Sequence, residues 1–271
     1  MASRVEMFGP MGAGKSTVLK ALSKNKIIIK NKDKILTQRQ IEKLEFLEQV
    51  KRDSILEYLA YKVSFLFNFV EEKFIFKHIN SAAWQSINKY EGLPALEDIW
   101  RVTVGNRRYA SINAELELKR MFWFVKAIAN CALMESSDKA TVALQDESFI
   151  QRGISLSFQD INYHENLEPY YTIMPLPILA IHVTAPDSLL KTRVEKRDGS
   201  QSSAIKYLNK SIEISKEVER ILEKRGCEVF SINTAVPVSD YIDSLAKHII
   251  KISENTLFSE FDFREKSHKE L

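Results

Sequence analysis

The apolar positions of the chain change their spacing several times, and each change predicts an element. "RVEMF" (Arg4 to Phe8) alternates and then meets glycine, as a strand ending in a tight turn does. "KSTVLKALSK" puts Val18, Leu19 and Leu22 on one helical face. "KIIIK" (Lys26 to Lys30) is compact and β-branched, and predicts a second strand. From Ile55 the residues Leu59, Val63, Leu66, Phe67, Val70 and Phe74 recur every three or four, predicting a long helix that reaches about Ile87 before Gly92 and Pro94 break it. A second long helix is predicted from roughly Ala110 to Met134.

The pattern then turns to short apolar runs between helices. "KATVALQDE" (Lys139 to Glu147) predicts a strand ending in two carboxylates, and "ILAIHVTA" (Ile178 to Ala185) one buried on both faces of a parallel sheet. "PDSLLKTRVEKRD" opens a helix with proline. Ala204 to Lys224 is amphipathic, with Ile205, Leu208, Ile212, Val218 and Leu222 inward, and Gly226 stops it. "CEVFSIN" predicts a fifth strand and "PVSDYIDSLAKHIIKI" a closing helix. Strands alternating with helices imply an α/β fold: a five-stranded, mostly parallel sheet flanked by helices, with a large α-helical insertion (about 37–136) between strands 2 and 3. Residues 1–252 form a single domain in this reading. Residues 253–271, charged with scattered phenylalanines, are expected to be a frayed or loosely docked tail.

Composition narrows the class. With 271 residues, 45% of them hydrophobic and 28% charged, the chain has ample material for a core. The net charge of +3 does not by itself imply nucleic acid, and the six lysines from Lys20 to Lys34 read as a solvated helix end and loop. Cys131 and Cys227 lie in apolar patterns without metal-type spacing, as buried thiols of a reducing compartment do. No signal peptide is visible ahead of the glycine loop, and "FLFNFV" is too short to span a bilayer. The expectation is a cytoplasmic protein without membrane partners.

The chemistry begins with "GPMGAGKST". Gly9-x4-Gly14-Lys15-Ser16 fits the phosphate-binding loop pattern at every fixed position, between a strand and a helix. In such a loop the glycines let backbone amides turn inward around a polyphosphate, with Gly9, Pro10, Met11, Gly12, Ala13 and Gly14 as the candidate nucleotide-binding residues, and the following helix points its positive end there. Lys15 is expected at the β- and γ-phosphates and Ser16 on Mg²⁺. Thr17 supports the loop or touches the α-phosphate.

Two further constellations discriminate what the phosphate is for. Asp146 and Glu147 end an apolar strand at the carboxyl edge, where ligands bind in open α/β sheets. One can organise Mg²⁺ through water, with Asp146 the candidate metal residue, and the other can accept a hydroxyl's proton or orient the nucleophile. Arg152 could return to the cleft from the next helix and contact a substrate anion; the plainer reading is two carboxylates at a helix start. Arg193 and Arg197, four apart, share a helix face before the flexible "DGSQSS", suiting a lid (about 193–206) that offsets charge in phosphoryl transfer; the plainer reading pairs them with surface glutamates. "LEDIWRVTVGNRRYA" (Leu96 to Ala110) gathers Glu97, Asp98, Arg101, Arg107, Arg108 and Tyr109; it is read as a polar connection, in preference to the alternative of a loop that recognises an acceptor. His182 is expected to be a core residue rather than a ligand.

The order of glycine loop, helical insertion, acidic strand end, "ILAIHVTAPDSLLKTRVEKRD" and a last strand followed by "INTAVPVSDYIDSLAKHI" resembles P-loop kinases of the nucleoside and nucleoside-monophosphate type. The resemblance covers about residues 1–30 and 139–252. It implies that Arg193 and Arg197 belong to a lid, and that the loop Asn233 to Pro237, with Asn233, Thr234 and Ala235, wraps the adenine of ATP. The chain departs from that group where Glu147-Ser148 follows Asp146 in place of an arginine. The expected activity is an ATP- and Mg²⁺-dependent kinase of a small-molecule acceptor, first a nucleoside or nucleotide. The alternatives are a kinase of another hydroxyl compound and an NTP-binding switch or partner-driven ATPase. Nucleic acid is a third-ranked partner, and a homodimer is left open.

Overall fold

The computed structural model describes residues 2–31, 34–53, 95–105, 114–158 and 160–267. β1 (Ser3–Phe8) runs into the glycine loop, followed by α1 (Lys15–Lys24), α2 (Lys26–Lys30), β2 (Ile35–Thr37) and α3 (Gln38–Asp53). Then come α4 (Leu96–Trp100), which passes into a wide helical turn over Arg101–Gly105, α5 (Ala114–Ser136), β3 (Val142–Gln145), α6 (Phe149–Ser157) and α7 (Tyr163–Ile173). β4 (Leu179–Thr184), α8 (Asp187–Asp198), α9 (Ser203–Lys206), α10 (Leu208–Lys224), β5 (Val229–Asn233) and α11 (Ile242–Ser267) complete the chain.

The five strands form one all-parallel sheet in the order β2-β3-β1-β4-β5. β1 lies at its centre, so the glycine loop leaves the sheet where the strand order reverses, the place at which open α/β sheets bind ligands. Both faces are covered. Val5 and Met7 of β1 and Ile181 and Val183 of β4 point to a core closed by Val18 and Leu22 of α1, Leu190 and Val194 of α8 and Leu245 and Ile249 of α11. Phe8 and Ala180 point to the other, against Phe149 and Ile154 of α6, Tyr170 and Tyr171 of α7 and Val218 and Leu222 of α10. The β1 alternation therefore does not separate a wet face from a dry one: Arg4 and Glu6 are as buried as their apolar neighbours.

Several expectations need correction. Lys26–Lys30 is a short helix, and the second strand is Ile35–Thr37. Asn25 explains the difference: its Oδ1 accepts from the Ile27 amide at 2.9 Å and caps the turn, and Asn31 Nδ2 donates to the Ile27 carbonyl at 2.9 Å from the far end. Only Ile28 of the three isoleucines is buried there. The helix read over Ala204–Lys224 is two helices, parted at Tyr207 (φ −101°, ψ 4°). The polar connection at Leu96 is helical as far as Gly105; Arg107, Arg108 and Tyr109 lie outside the described residues. The backbone of α11 carries the closing helix on to Ser267, well into the stretch expected to fray, where neither glycine nor proline interrupts it. The helix expected from Ile55 to Ile87 lies outside the described residues.

Candidate functional site

Gly9 sits at φ +147°, and a Cβ built on it would stand 2.1 Å from the Val183 carbonyl oxygen of β4. Gly12, at φ +79°, would meet Val194 Cγ2 at 2.9 Å and the Leu190 oxygen at 3.0 Å. The loop is therefore pressed against β4 and α8 where only glycine fits. Its backbone is fastened from two sides: the Gly9 amide donates to Gln151 Oε1 of α6 at 3.2 Å, and the Met11 amide to Ser211 Oγ of α10 at 3.4 Å.

Residues Gly12 to Thr17 form one wall of a cavity of about 540 Å³, which is also lined by Glu147, Arg193, Arg197, Thr234, Val238 and Tyr241. Lys15 folds back over the loop, its Nζ donating to the carbonyls of Gly9 at 3.1 Å and Pro10 at 3.2 Å. Burial lowers its pKa to about 8, against the pull of the Glu147 and Asp146 carboxylates. An ammonium group so poorly hydrated is held where an anion would complete its solvation.

The acidic strand end divides into two. Asp146 faces Ser16, whose Oγ donates to Asp146 Oδ2 at 3.0 Å. Glu147 borders the cavity and pairs with Arg152, whose Nη2 lies 2.7 Å from Glu147 Oε2. Arg152 thus reaches the site's edge through Glu147, and its guanidinium also lies 5.5 Å from the Trp123 ring centre. Trp123 is 46% exposed and its neighbour Phe122 is exposed too, whereas Phe124 is buried in the core.

The two expected lid arginines differ. Arg193 is a clamp: Nη1 donates to Thr234 Oγ1 at 2.8 Å and to the Gly12 carbonyl at 3.3 Å, and Nη2 to the Thr234 carbonyl at 2.8 Å. Thr234 Oγ1 in turn donates toward the Ala13 and Thr184 carbonyls at 2.8 and 3.1 Å. Arg197 borders the cavity and is paired with Asp198. Of the loop expected to wrap a base, Thr234 lines the cavity; Asn233 Oδ1 accepts from the Ala235 amide at 2.9 Å and shapes the turn. Gly9, Pro10 and Met11 lie outside the cavity lining, Pro10 buried and Met11 packed against the core.

His182 is buried as expected, stacked on Phe8 with ring centres 4.6 Å apart and Nδ1 lying 3.0 Å from Glu219 Oε1. Both cysteines are buried and free. Burial raises the pKa of Cys131 to about 12 and of Cys227 to about 11. Sequence reasoning missed the buried Arg4–Glu6 pair and the clamp role of Arg193. The former was signalled only by two charges inside a strand that precedes a glycine loop.

The residues present fit a magnesium nucleotide: a glycine loop with no room for a Cβ at Gly9 or Gly12, a desolvated lysine, and a hydroxyl beside a carboxylate as oxygen donors for a hard cation. Fold and site together define an α/β protein with a phosphate-binding glycine loop at the end of its central strand. No family model matches the sequence, and no curated protein does. Among solved structures, the chain is similar to deoxyadenosine kinase from M. mycoides with bound dATP, at 12% identity and a TM-score of 0.44, with 91% of this chain and 98% of that one covered. The same enzyme with bound dCTP gives 15% identity and a TM-score of 0.40, covering 92% and 99%. With the products dCMP and a flexible dCDP it gives 14% identity and 0.40, over the same shares. Among the described residues, no helix is long and apolar enough to cross a membrane.

Proposed function

We propose that the protein is an ATP- and Mg²⁺-dependent kinase acting on a small-molecule hydroxyl acceptor, first a nucleoside or nucleotide. The reading is carried by one observation: Lys15, Ser16, Glu147 and Arg197 line a single cavity at the carboxyl edge of a parallel sheet, with Asp146 hydrogen-bonded to Ser16 behind them. When bound, ATP supplies the phosphoryl group and Mg²⁺ neutralises its charge. Gly12 to Gly14 and the start of the following helix receive the phosphates, Lys15 holds them by charge, and Ser16 with Asp146 presents oxygens to the metal. Glu147, freed from Arg152 or polarised by it, accepts the acceptor's proton at a carboxylate oxygen. Arg197 offsets charge on the transferring oxygens, and Thr234 lies beside the base.

The test is a screen of nucleosides, nucleotides, sugars and other hydroxyl compounds with γ-labelled ATP and Mg²⁺. Labelled product that forms in step with ADP, and vanishes with Lys15→Ala, is expected. ADP formation that ignores every acceptor, or transfer that survives Lys15→Ala, would overturn the assignment.

A further inference from the structure

Glu6 lies in the middle of the central strand and is 0% exposed. A carboxylate so enclosed is costly unless its oxygens are fully engaged. Its Oε1 pairs with Arg4 Nη1 and accepts from Ser148 Oγ at 2.9 Å, while its Oε2 accepts from the Ile150 amide at 3.0 Å. Arg4 is held in turn by Glu135 and donates to the Pro175 carbonyl at 3.0 Å.

Ser148 and Ile150 place this carboxylate at the start of α6. Ser148 is the N-cap residue, yet its side chain makes no cap bond to its own helix. Glu6 performs that service from the neighbouring strand, satisfying a first-turn amide and setting a negative group against the helix's positive end. The strand register adds the other half. Glu6 is the Cα partner of Gln145, the last residue of β3. The turn Asp146-Glu147-Ser148 therefore has both ends fixed by one residue: Gln145 through the sheet ladder, Ser148 through the Glu6 side chain. One turn further along α6, Gln151 accepts the Gly9 amide, so the helix that Glu6 caps also holds the first glycine of the loop.

We propose that Glu6, with Arg4 as its counter-charge, is a positioning residue that sets the Asp146–Glu147 turn against the glycine loop. This rests on the reading above that Asp146 and Glu147 serve phosphoryl transfer. Pairing and packing alone could be met by two apolar side chains; the ionic pair is distinguished by what its second and third hydrogen bonds hold.

Glu6→Gln keeps the shape and one acceptor but loses the charge and the second acceptor, and Arg4 keeps Glu135. Ser148→Ala removes the bond to Glu6, together with the 2.9 Å contact of Ser148 Oγ with Cys131 Sγ, and leaves the Arg4–Glu6 pair intact, so the test survives if the first variant folds poorly. Both are made in the full chain and read three ways: MgATP affinity with a fluorescent analogue, turnover with the acceptor found in the screen, and amide exchange over residues 147–152. Glu6→Gln is expected to lower kcat about fivefold or more, and Ser148→Ala roughly two- to threefold, with nucleotide Kd within about twofold of wild type. Exchange over 147–152 should quicken by roughly tenfold in Glu6→Gln while α1 keeps its rates. A kcat within about twofold of wild type, or Kd and kcat falling by one common factor, would reduce Glu6 to plain structural support and overturn the inference. If the wild type transfers nothing to any acceptor, the functional reading fails on its own. The exchange measurement then decides this inference alone, and unchanged protection over 147–152 rejects it.

Discussion

Ser16 and Asp146 stand 130 positions apart in sequence and are joined by a hydrogen bond of 3.0 Å, Oγ to Oδ2. The bond links the helix after the glycine loop to the end of the neighbouring strand, and places a hydroxyl and a carboxylate side by side at the cavity's edge. Glu147, next along the chain, takes the other direction toward the cavity and Arg152. Two adjacent carboxylates are thus assigned separate surroundings. Asp146→Asn is expected to raise the Mg²⁺ concentration for half-maximal turnover. Glu147→Gln should lower kcat by on the order of 10²-fold and leave the Mg²⁺ requirement in place. A Mg²⁺ titration of both variants checks the division.

Lys15 carries a pH dependence with a defined sign. In the proposed function its ammonium form holds phosphate, and its pKa is lowered to about 8 by burial. Below pH 8 the charge is present and nucleotide affinity is flat; above it, binding must first recover a proton, and affinity falls by up to about tenfold per pH unit until the ordinary lysine range is reached. Calorimetry near pH 8.5 in buffers of different ionisation enthalpy should show proton uptake on binding. Lys15→Arg removes that uptake because a guanidinium stays charged there.

Arg193 and Arg197 are predicted to separate in their effects. Arg193 ties α8 to the loop and to Thr234 by three hydrogen bonds, two of them at 2.8 Å. Arg193→Met should cost about 1–3 kcal/mol of stability and weaken nucleotide binding. Arg197 pairs with the adjacent and exposed Asp198, and such exposed pairs contribute about 0–1 kcal/mol. Arg197→Met should leave the unfolding midpoint nearly unchanged and lower kcat by about tenfold or more. Urea unfolding and turnover, measured on the two variants together, decide it.

What the sequence disclosed follows from how local each signal is. The glycine loop was legible because its geometry forces its residues: at Gly9 and Gly12 no Cβ fits, whatever the rest of the chain does. The apolar run of β4 was equally legible, being buried on both faces. "KIIIK" misled because β-branching reports a preference weaker than the cap that Asn25 supplies. The true β2, Ile35–Thr37, is three residues long and too short to show a period. Arg4 and Glu6 were invisible in another sense: their burial depends on α6 and α5 packing over the central strand, and on partners more than 130 positions away. The clamp made by Arg193 likewise needs Thr234, brought close only by the β4–β5 pairing.

The glycines offer a test of the loop that is independent of catalysis. Gly9 and Gly226 both lie at positive φ, +147° and +79°, so alanine at either meets backbone strain of about 1–3 kcal/mol. They differ in what surrounds them. Gly226 has nothing within 4 Å of a Cβ, whereas at Gly9 the Val183 carbonyl oxygen stands 2.1 Å away in a strand hydrogen-bonded to β1. That oxygen belongs to the sheet and cannot swing aside, so β1 and β4 must part or the loop must lift from the sheet, which adds a further 1–3 kcal/mol or about that. Gly226→Ala is therefore expected to lower stability by about 1 kcal/mol with nucleotide affinity retained. Gly9→Ala should lower stability by about 3 kcal/mol or more and abolish nucleotide binding even where the protein remains folded. Equal losses at the two positions in urea unfolding would show that the loop does not press on β4 as described.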